Sequence, residues 1–288
     1  MFTDKKVIVK GGGDLATAVA HKLSRAGFPV MITELEKPMM VRRTVSFANC
    51  VYEGEWTVEG VTAVLAHDAQ EVERIMKEGK IPLVIDPICQ IREVIKPTFI
   101  VDAILAKSNC GTKLHHAPIV IGLGPGFTAG EDVHAVIETN RGHHLGRIIL
   151  QGTAQPNTGV PGNIAGFTNE RVFRAPCEGI VRNYVEIGTA VEVGQLLCSV
   201  DEREVKAKIR GMVRGLIYDG LRVKENEKLG DIDPRRKREH CHTISDKGRN
   251  VAGGALEAML YLLQNKVHDG GKGVHGVEVS VQNMVRKR

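Results

Sequence analysis

The chain has 288 residues, 42% hydrophobic, 25% charged and 4% aromatic, with a formal net charge of +5, the profile of a globular protein with room for two modest domains. No apolar run reaches the roughly 18 residues of a membrane span, and strand-like, glycine-rich sequence begins where a signal peptide would lie, so a cytoplasmic location is expected. The six cysteines, Cys50, Cys89, Cys110, Cys177, Cys198 and Cys241, form no CxxC pair and suggest neither a disulfide framework nor a zinc ribbon.

In chain order, Lys6 to Val9 reads as a strand, Gly11, Gly12 and Gly13 as a turn, and the recurrence of Leu15, Val19, Ala20 and Leu23 as a helix that Gly27 stops. Val30 to Thr33 is a second strand, ending at Glu34. Further strands are expected at Val61 to Leu65, Ile81 to Ile85, Phe99 to Val101 and Ile119 to Leu123, with a helix at Asp68 to Glu78. This alternation predicts a Rossmann-like α/β domain over residues 1–170, with a mostly parallel sheet.

The stretch Gly11, Gly12, Gly13, Asp14, Leu15, Ala16 has the spacing G-x-G-x-x-A. Gly11 permits the tight turn, Gly13 lets the backbone approach a pyrophosphate, and Ala16 lets helix and strand pack closely, with the helix N-terminus aimed at the phosphates. Glu34 stands where an acid binds a ribose 2′-OH, which favours NAD over NADP. Asp14 is expected to cap the helix, because a carboxylate about 4 Å from a phosphate costs about 1 kcal/mol in water and more where solvent is excluded. The turn resembles the GGGDSA turn of the nicotinamide domain in thioredoxin reductases. Two readings are open: phosphate or nucleotide binding, and a Rossmann-like shell whose turn serves folding alone.

A second turn follows Ile119 to Leu123, with Gly122, Gly124, Pro125, Gly126 and Phe127 before a helix expected from Glu131 and Asp132. Two such turns at strand carboxyl ends could enclose one ligand, with Arg141 suited to an anion. The plainer reading is a glycine-rich connection.

Residues 175–201 and 207–233 then align without a gap, matching Gly179 with Gly211, Gly188 with Gly220, Val191 with Val223, Leu197 with Leu229 and Asp201 with Asp233. Two copies can bury each other's apolar faces. The double hairpin, over 171–234, resembles the biotinyl/lipoyl carrier domain, a barrel-sandwich hybrid. The link between copies reads Val200, Asp201, Glu202, Arg203, Glu204, with no lysine at the tip, so neither biotin nor lipoate is expected.

Arg235, Arg236, Lys237 and Arg238 make a basic run without interleaved aromatics, read as a solvated face rather than a nucleic-acid patch. His240 and His242 would share one side of a strand, but two ligands make no metal site. Ser245 can cap a helix whose Val251, Leu256, Met259, Leu260 and Leu263 form its apolar side, with Gly253 and Gly254 for close backbone approach. A C-terminal helical segment is assigned to 235–266 and a mobile basic tail to 267–288.

Taken in order, KGGGDLATAVAHKL, RRTVSFANCVYEGE, VDAILAKSNCGT, VIGLGPGFTAGEDVHAVIETNRGHHLGR, PNTGVPG, RVFRAP and CHTISDKGRNVAGGALEA resemble the YqeB family, up to about residue 265. These are accessory proteins associated with selenium-dependent molybdenum hydroxylases. The amino-terminal half is also similar to the Rossmann domain of XdhC-type chaperones, which handle molybdopterin. The resemblance implies an accessory protein that binds a phosphate-bearing cofactor, molybdopterin type or nucleotide (NAD or ADP-containing), and presents it to a hydroxylase related to xanthine dehydrogenase. An XdhC-type chaperone is a further expected partner and a homo-oligomer the expected assembly. A second reading is a redox or sulfur/selenium-transferring enzyme using NAD and a cysteine, Cys110 being chosen over Cys50 and Cys89. A third is a non-catalytic adaptor.

Overall fold

The computed structural model describes residues 2–268. Its larger sheet is built from β1 (Val7–Lys10), β2 (Val30–Glu34), β3 (Glu55–Val58), β4 (Val61–Ala66), β5 (Ile81–Ile85), β6 (Phe99–Asp102) and β7 (Ile119–Leu123). After β8 (Thr128–Ala129), strands β9 (Ala135–Ile137) and β10 (Ile148–Ile149) complete it, and β11 (Gly152–Thr153) pairs only with β8. The order is β10-β9-β7-β6-β1-β2-β5-β4-β3. The run from β9 to β4 is parallel, and hairpin-like antiparallel partners, β10 and β3, close its two edges. The chain runs outward from β1 on one side and resumes with β6 on the other, so the topological switch lies at the carboxyl ends of β1 and β6.

Helix α1 (Asp14–Arg25) buries Leu15, Val19, Ala20 and Leu23, the residues whose spacing predicted it. It ends in a Schellman motif: Phe28 N–H donates to Leu23 O, Gly27 N–H donates to Ser24 O, and Gly27 has φ +89°. Short α2 (Cys50–Glu53), α3 (Ala69–Lys77) and α4 (Arg92–Ile95) follow. Asp68 caps α3 by accepting from Glu71 N–H at 2.8 Å.

Three local expectations are corrected. After the second glycine turn there is no helix at Glu131: Asp132 Oδ2 accepts from Thr128 N–H at 2.8 Å and closes a loop, and the β-branched, fully buried run Ala135–Ile137 becomes an inner strand. The segment around Cys241 is helical, α5 (Glu239–His242), so His240 and His242 diverge while Cys241 is buried between them. In α6 (Asp246–His268) the buried side is Val251, Ala252, Ala255, Ala258, Met259 and Leu262, whereas Leu260 is 40% exposed. The small residues win because α6 lies close against α1 and the backbone of Gly146: a Cβ on Gly248 would touch Ala18, and one on Gly254 would overlap Gly146 O. Ser245 caps α6 as expected, accepting from Gly248 N–H at 3.1 Å. Residues 269–288, which contain nearly all of the expected tail, lie outside the described residues.

The repeat forms two four-stranded sheets with a common core, using β12 (Val172–Arg174), β13 (Gly179–Asn183), β14 (Ala190–Val191), β15 (Leu196–Val200), β16 (Arg203–Lys206), β17 (Gly211–Leu216), β18 (Arg222–Val223) and β19 (Lys228–Asp233). Each copy lends its short strand to the other. Thus β14 pairs with β17 through Ala190↔Met212, and β18 with β13 through Ile180↔Arg222, the same register moved by one repeat. Neither copy completes its sheet alone. Among the described residues no helix is long and apolar enough to cross a membrane.

Candidate functional site

The first glycine turn is largely satisfied from within. Gly11 N–H donates to Thr33 O at 2.8 Å, and Gly12 N–H donates to Glu34 Oε2 at 2.7 Å. Ala48 N–H donates to Gly12 O at 2.8 Å, and a Cβ on Gly12 would lie 2.8 Å from Ala48 N, so residues 47–49 rest directly on the turn. Glu34 also accepts from Leu35 N–H at 2.8 Å, and burial raises its pKa above the ordinary carboxylate value. Its carboxylate is therefore engaged inside the protein, where the sequence suggested a ribose contact. Ala16 is fully buried against the sheet.

Asp14 does not cap α1. The N-cap is Gly13, and Asp14 lies one residue too far along to reach the free amides; its Oδ2 is instead 3.4 Å from Arg42 Nη1. Arg42 also donates to His240 O at 2.9 Å. A Cβ on Gly13 would meet nothing within 4 Å, so this glycine faces open space.

The second turn is packed differently. Phe127 is 4% exposed and its ring occupies the place of a Gly122 side chain. Gly124 has φ +73° and lies on Thr139; Gly126 has φ +110° and backs onto Ser108. The connection after β6, which begins against Gly11 at Ala103, thus runs between the two turns.

That connection is pinned from below. Lys10 at the end of β1 and Asp102 at the end of β6 form a 3.0 Å ion pair, and Thr112 Oγ1 accepts from Lys10 and donates to Asp102. All three are at most 3% exposed. Charged residues closing otherwise apolar strands were the sequence signal for this network, which sequence reasoning missed.

Above it lies a cleft of about 280 Å³, lined by Leu15, Leu105–Lys107, Pro125, Thr139–Arg141, the 155–162 loop and Lys247. Helix α1, through Leu15, and the second turn, through Pro125, therefore contribute to one cavity. Buried Glu138 holds two walls in register by accepting from Asn140 N–H at 2.7 Å and Gln155 N–H at 2.8 Å. Arg141 donates twice to Asp246, at 2.8 and 3.1 Å, and this pairing holds the Asp246 carboxyl well below the usual range. Burial, and then the neighbouring Arg141, push the Lys247 ammonium pKa down. The 155–162 loop was visible only as a motif. Lys247 had no signal, because its position is set by a helix that returns to the sheet from 106 residues beyond Arg141.

Of the cysteines, Cys50 and Cys89 are buried and their thiols are pushed up to about 12 and about 11 by burial, which removes thiolate at neutral pH. Cys110 is exposed, with Sγ 3.7 Å from Ser108 O, and does not line the cleft.

Over 261 residues, 91% of the chain, the sequence is 51% identical to the uncharacterized protein YqeB of Escherichia coli (strain K12). The chain is a homologue of YqeB. It spans 48% of that relative, about half its length. No family model matches. Solved structures with partial likeness include the ectoine utilization protein EutE (DoeB) from Ruegeria pomeroyi in its product-bound form, 10% identical at a TM-score of 0.24, covering 81% of this chain and 86% of that one. An aspartoacylase family protein from Mesorhizobium loti is 10% identical at a TM-score of 0.25, covering 79% and 84%. At such scores these likenesses carry no argument about YqeB or this homologue.

Proposed function

We propose that the protein is an accessory factor for maturation of a selenium-dependent molybdenum hydroxylase, holding a phosphate-bearing cofactor in the cleft at the switch point and presenting it to the enzyme. The observation that carries the binding step is the cleft itself: it lies outside the strand carboxyl ends, where open α/β sheets bind ligands, and Arg141, Lys247 and Lys107 reach its walls. The hydroxylase role rests on the motif resemblance to the YqeB family. The two exchanged-strand sheets form a biotinyl/lipoyl-like hammerhead in this reading, used for docking, since the hairpin between the copies turns at Asp201 and Glu202 without a carrier lysine.

In cells that depend on the protein, Arg141→Ala combined with Val160→Trp should lower molybdenum hydroxylase activity while the melting temperature of the purified variant falls by no more than about 4 °C. Undiminished hydroxylase activity would overturn the reading.

A second reading, an NAD-using redox or sulfur/selenium-transferring enzyme, is favoured by one observation, the exposure of Cys110 in the connection between the two turns. Cys110→Ser should then abolish the transfer. Full function of that variant would remove this reading.

A further inference from the structure

Lys247 is the second residue of α6, half-buried in the wall of the cleft, and its ammonium makes no hydrogen bond or ion pair among the described residues. The acids around it are committed to other partners. Asp246 accepts two hydrogen bonds from Arg141, Asp14 faces Arg42, and Glu138 accepts two backbone N–H groups. Lys107 enters the same cleft from the connection after β6 and likewise has no ion-pair partner among the described residues. Arg141 has five N–H donors, of which Asp246 takes two, so the guanidinium keeps donors to spare. An unpaired cation held partly out of water is costly unless an anion answers it.

We propose that the cleft is a phosphomonoester site, with Lys247 as the residue that contacts the phosphate and Arg141 and Lys107 beside it. This rests on the reading of the cleft given above and narrows it. A phosphomonoester carries a charge of about −1.5 to −2 at neutral pH, which matches Lys247 and Lys107, neither of which has a carboxylate partner among the described residues. The volume, about 280 Å³, lies at the lower edge of the roughly 300–1,000 Å³ of pockets for drug-sized ligands, which suits a mononucleotide or a smaller phosphorylated compound. A dinucleotide would also need the first turn, and there Gly12 is covered by Ala48 and Glu34 is bonded to the turn's own backbone. The ligand class is therefore a compound with one terminal phosphate, bound in a cleft whose lining does not include Glu34.

The test is calorimetric titration of the full chain with inorganic phosphate, AMP and NAD. Phosphate and AMP should bind, and NAD should bind no tighter than AMP. Lys247→Gln should weaken AMP at least about tenfold, as expected for loss of one charge-assisted hydrogen bond, and Lys247→Arg should restore most of the affinity. Glu34→Gln should leave AMP binding unchanged. Because the Lys247 ammonium is partly buried and makes no hydrogen bond or ion pair among the described residues, Lys247→Gln without ligand should melt no lower than the parent. Absence of phosphate and AMP binding at millimolar concentration, AMP affinity unaffected by Lys247→Gln, or a preference for NAD that Glu34→Gln removes would each overturn the proposal. Lys247-dependent AMP binding together with normal hydroxylase maturation would instead sink the functional reading and leave this site standing.

Discussion

At the first glycine turn the backbone N–H of Gly12 is spent on Glu34 and its open side is covered by Ala48, whereas at the second turn Gly124 and Gly126 carry φ values of +73° and +110° and press on Thr139 and Ser108. Both sit at strand carboxyl ends of one sheet. The first turn is thus consumed in joining α1, Glu34 and residues 47–49, while the second tightens the chain so that Thr139, Asn140 and Arg141 reach the cleft. Glycine spacing reports where backbone is crowded; the residues that meet a ligand are decided by what crowds it.

The largest expected effect comes from the network beneath both turns. Lys10→Met should destabilise the protein by about 3–5 kcal/mol in urea denaturation, because Asp102 is left as a buried charge, and Lys10→Met with Asp102→Leu should regain most of that loss. If the single and double variants were equally unstable, the pair would not be what anchors the connection between the turns.

Next come the glycines themselves. Gly12→Ala should cost about 2–3 kcal/mol through overlap with Ala48, and Gly124→Ala a similar amount from the left-handed backbone and Thr139, while Gly13→Ala, facing open space with φ −65°, should stay within about 0.5 kcal/mol. Equal costs at Gly12 and Gly13 would erase the contrast between a sealed and an open part of the first turn.

Titration separates the turns further. The pKa of Glu34 is raised in the folded state, so the native protein holds this proton more tightly than the unfolded chain. Its contribution to stability is complete below the ordinary carboxylate value and is lost as pH rises through the folded value. Relative to Glu34→Ala, the parent should accordingly gain stability as pH is lowered from 7 towards 4, measured by denaturation at each pH. A flat difference would show that the carboxylate is not buried against Gly12.

A small stability effect is also expected at the cleft wall. Arg141→Ala breaks a pair whose side chains are 44% and 75% exposed, and should cost no more than about 1 kcal/mol. A loss comparable to that of Lys10→Met would make the Arg141 pair structural rather than available to a ligand.

The parallel sheet was legible because its strands are short apolar runs punctuated by glycine, and α1 because Leu15, Val19, Ala20 and Leu23 repeat at one helical period. The repeat was legible in outline, since Gly179 and Gly211 recur at equivalent positions, but the exchange of β14 and β18 between copies was not: both strands are two residues long and gain their partners only across the domain. At the site, Arg141, Leu15 and Pro125 were reached from their turns. Asp14 was misassigned because capping depends on which residue leaves helical geometry, and that residue is Gly13. Lys247 stayed hidden because proximity to Arg141 is created by the packing of α6 on α1, which no local pattern encodes.

The return of α6 to the sheet also orders events during synthesis. The chain leaves the large sheet after β10, builds the repeat, and only then supplies α6, which packs in the same core as α1. The repeat is held at both of its ends, and Leu216 and Val41 join it to the sheet domain by a 2.7 Å hydrogen bond, so it is a fixed body and not an arm on a single tether. A nascent chain that has made Leu15, Lys107 and Arg141 still lacks the wall carrying Lys247, and the cleft is therefore complete only once the whole repeat has been made and the final helix has packed.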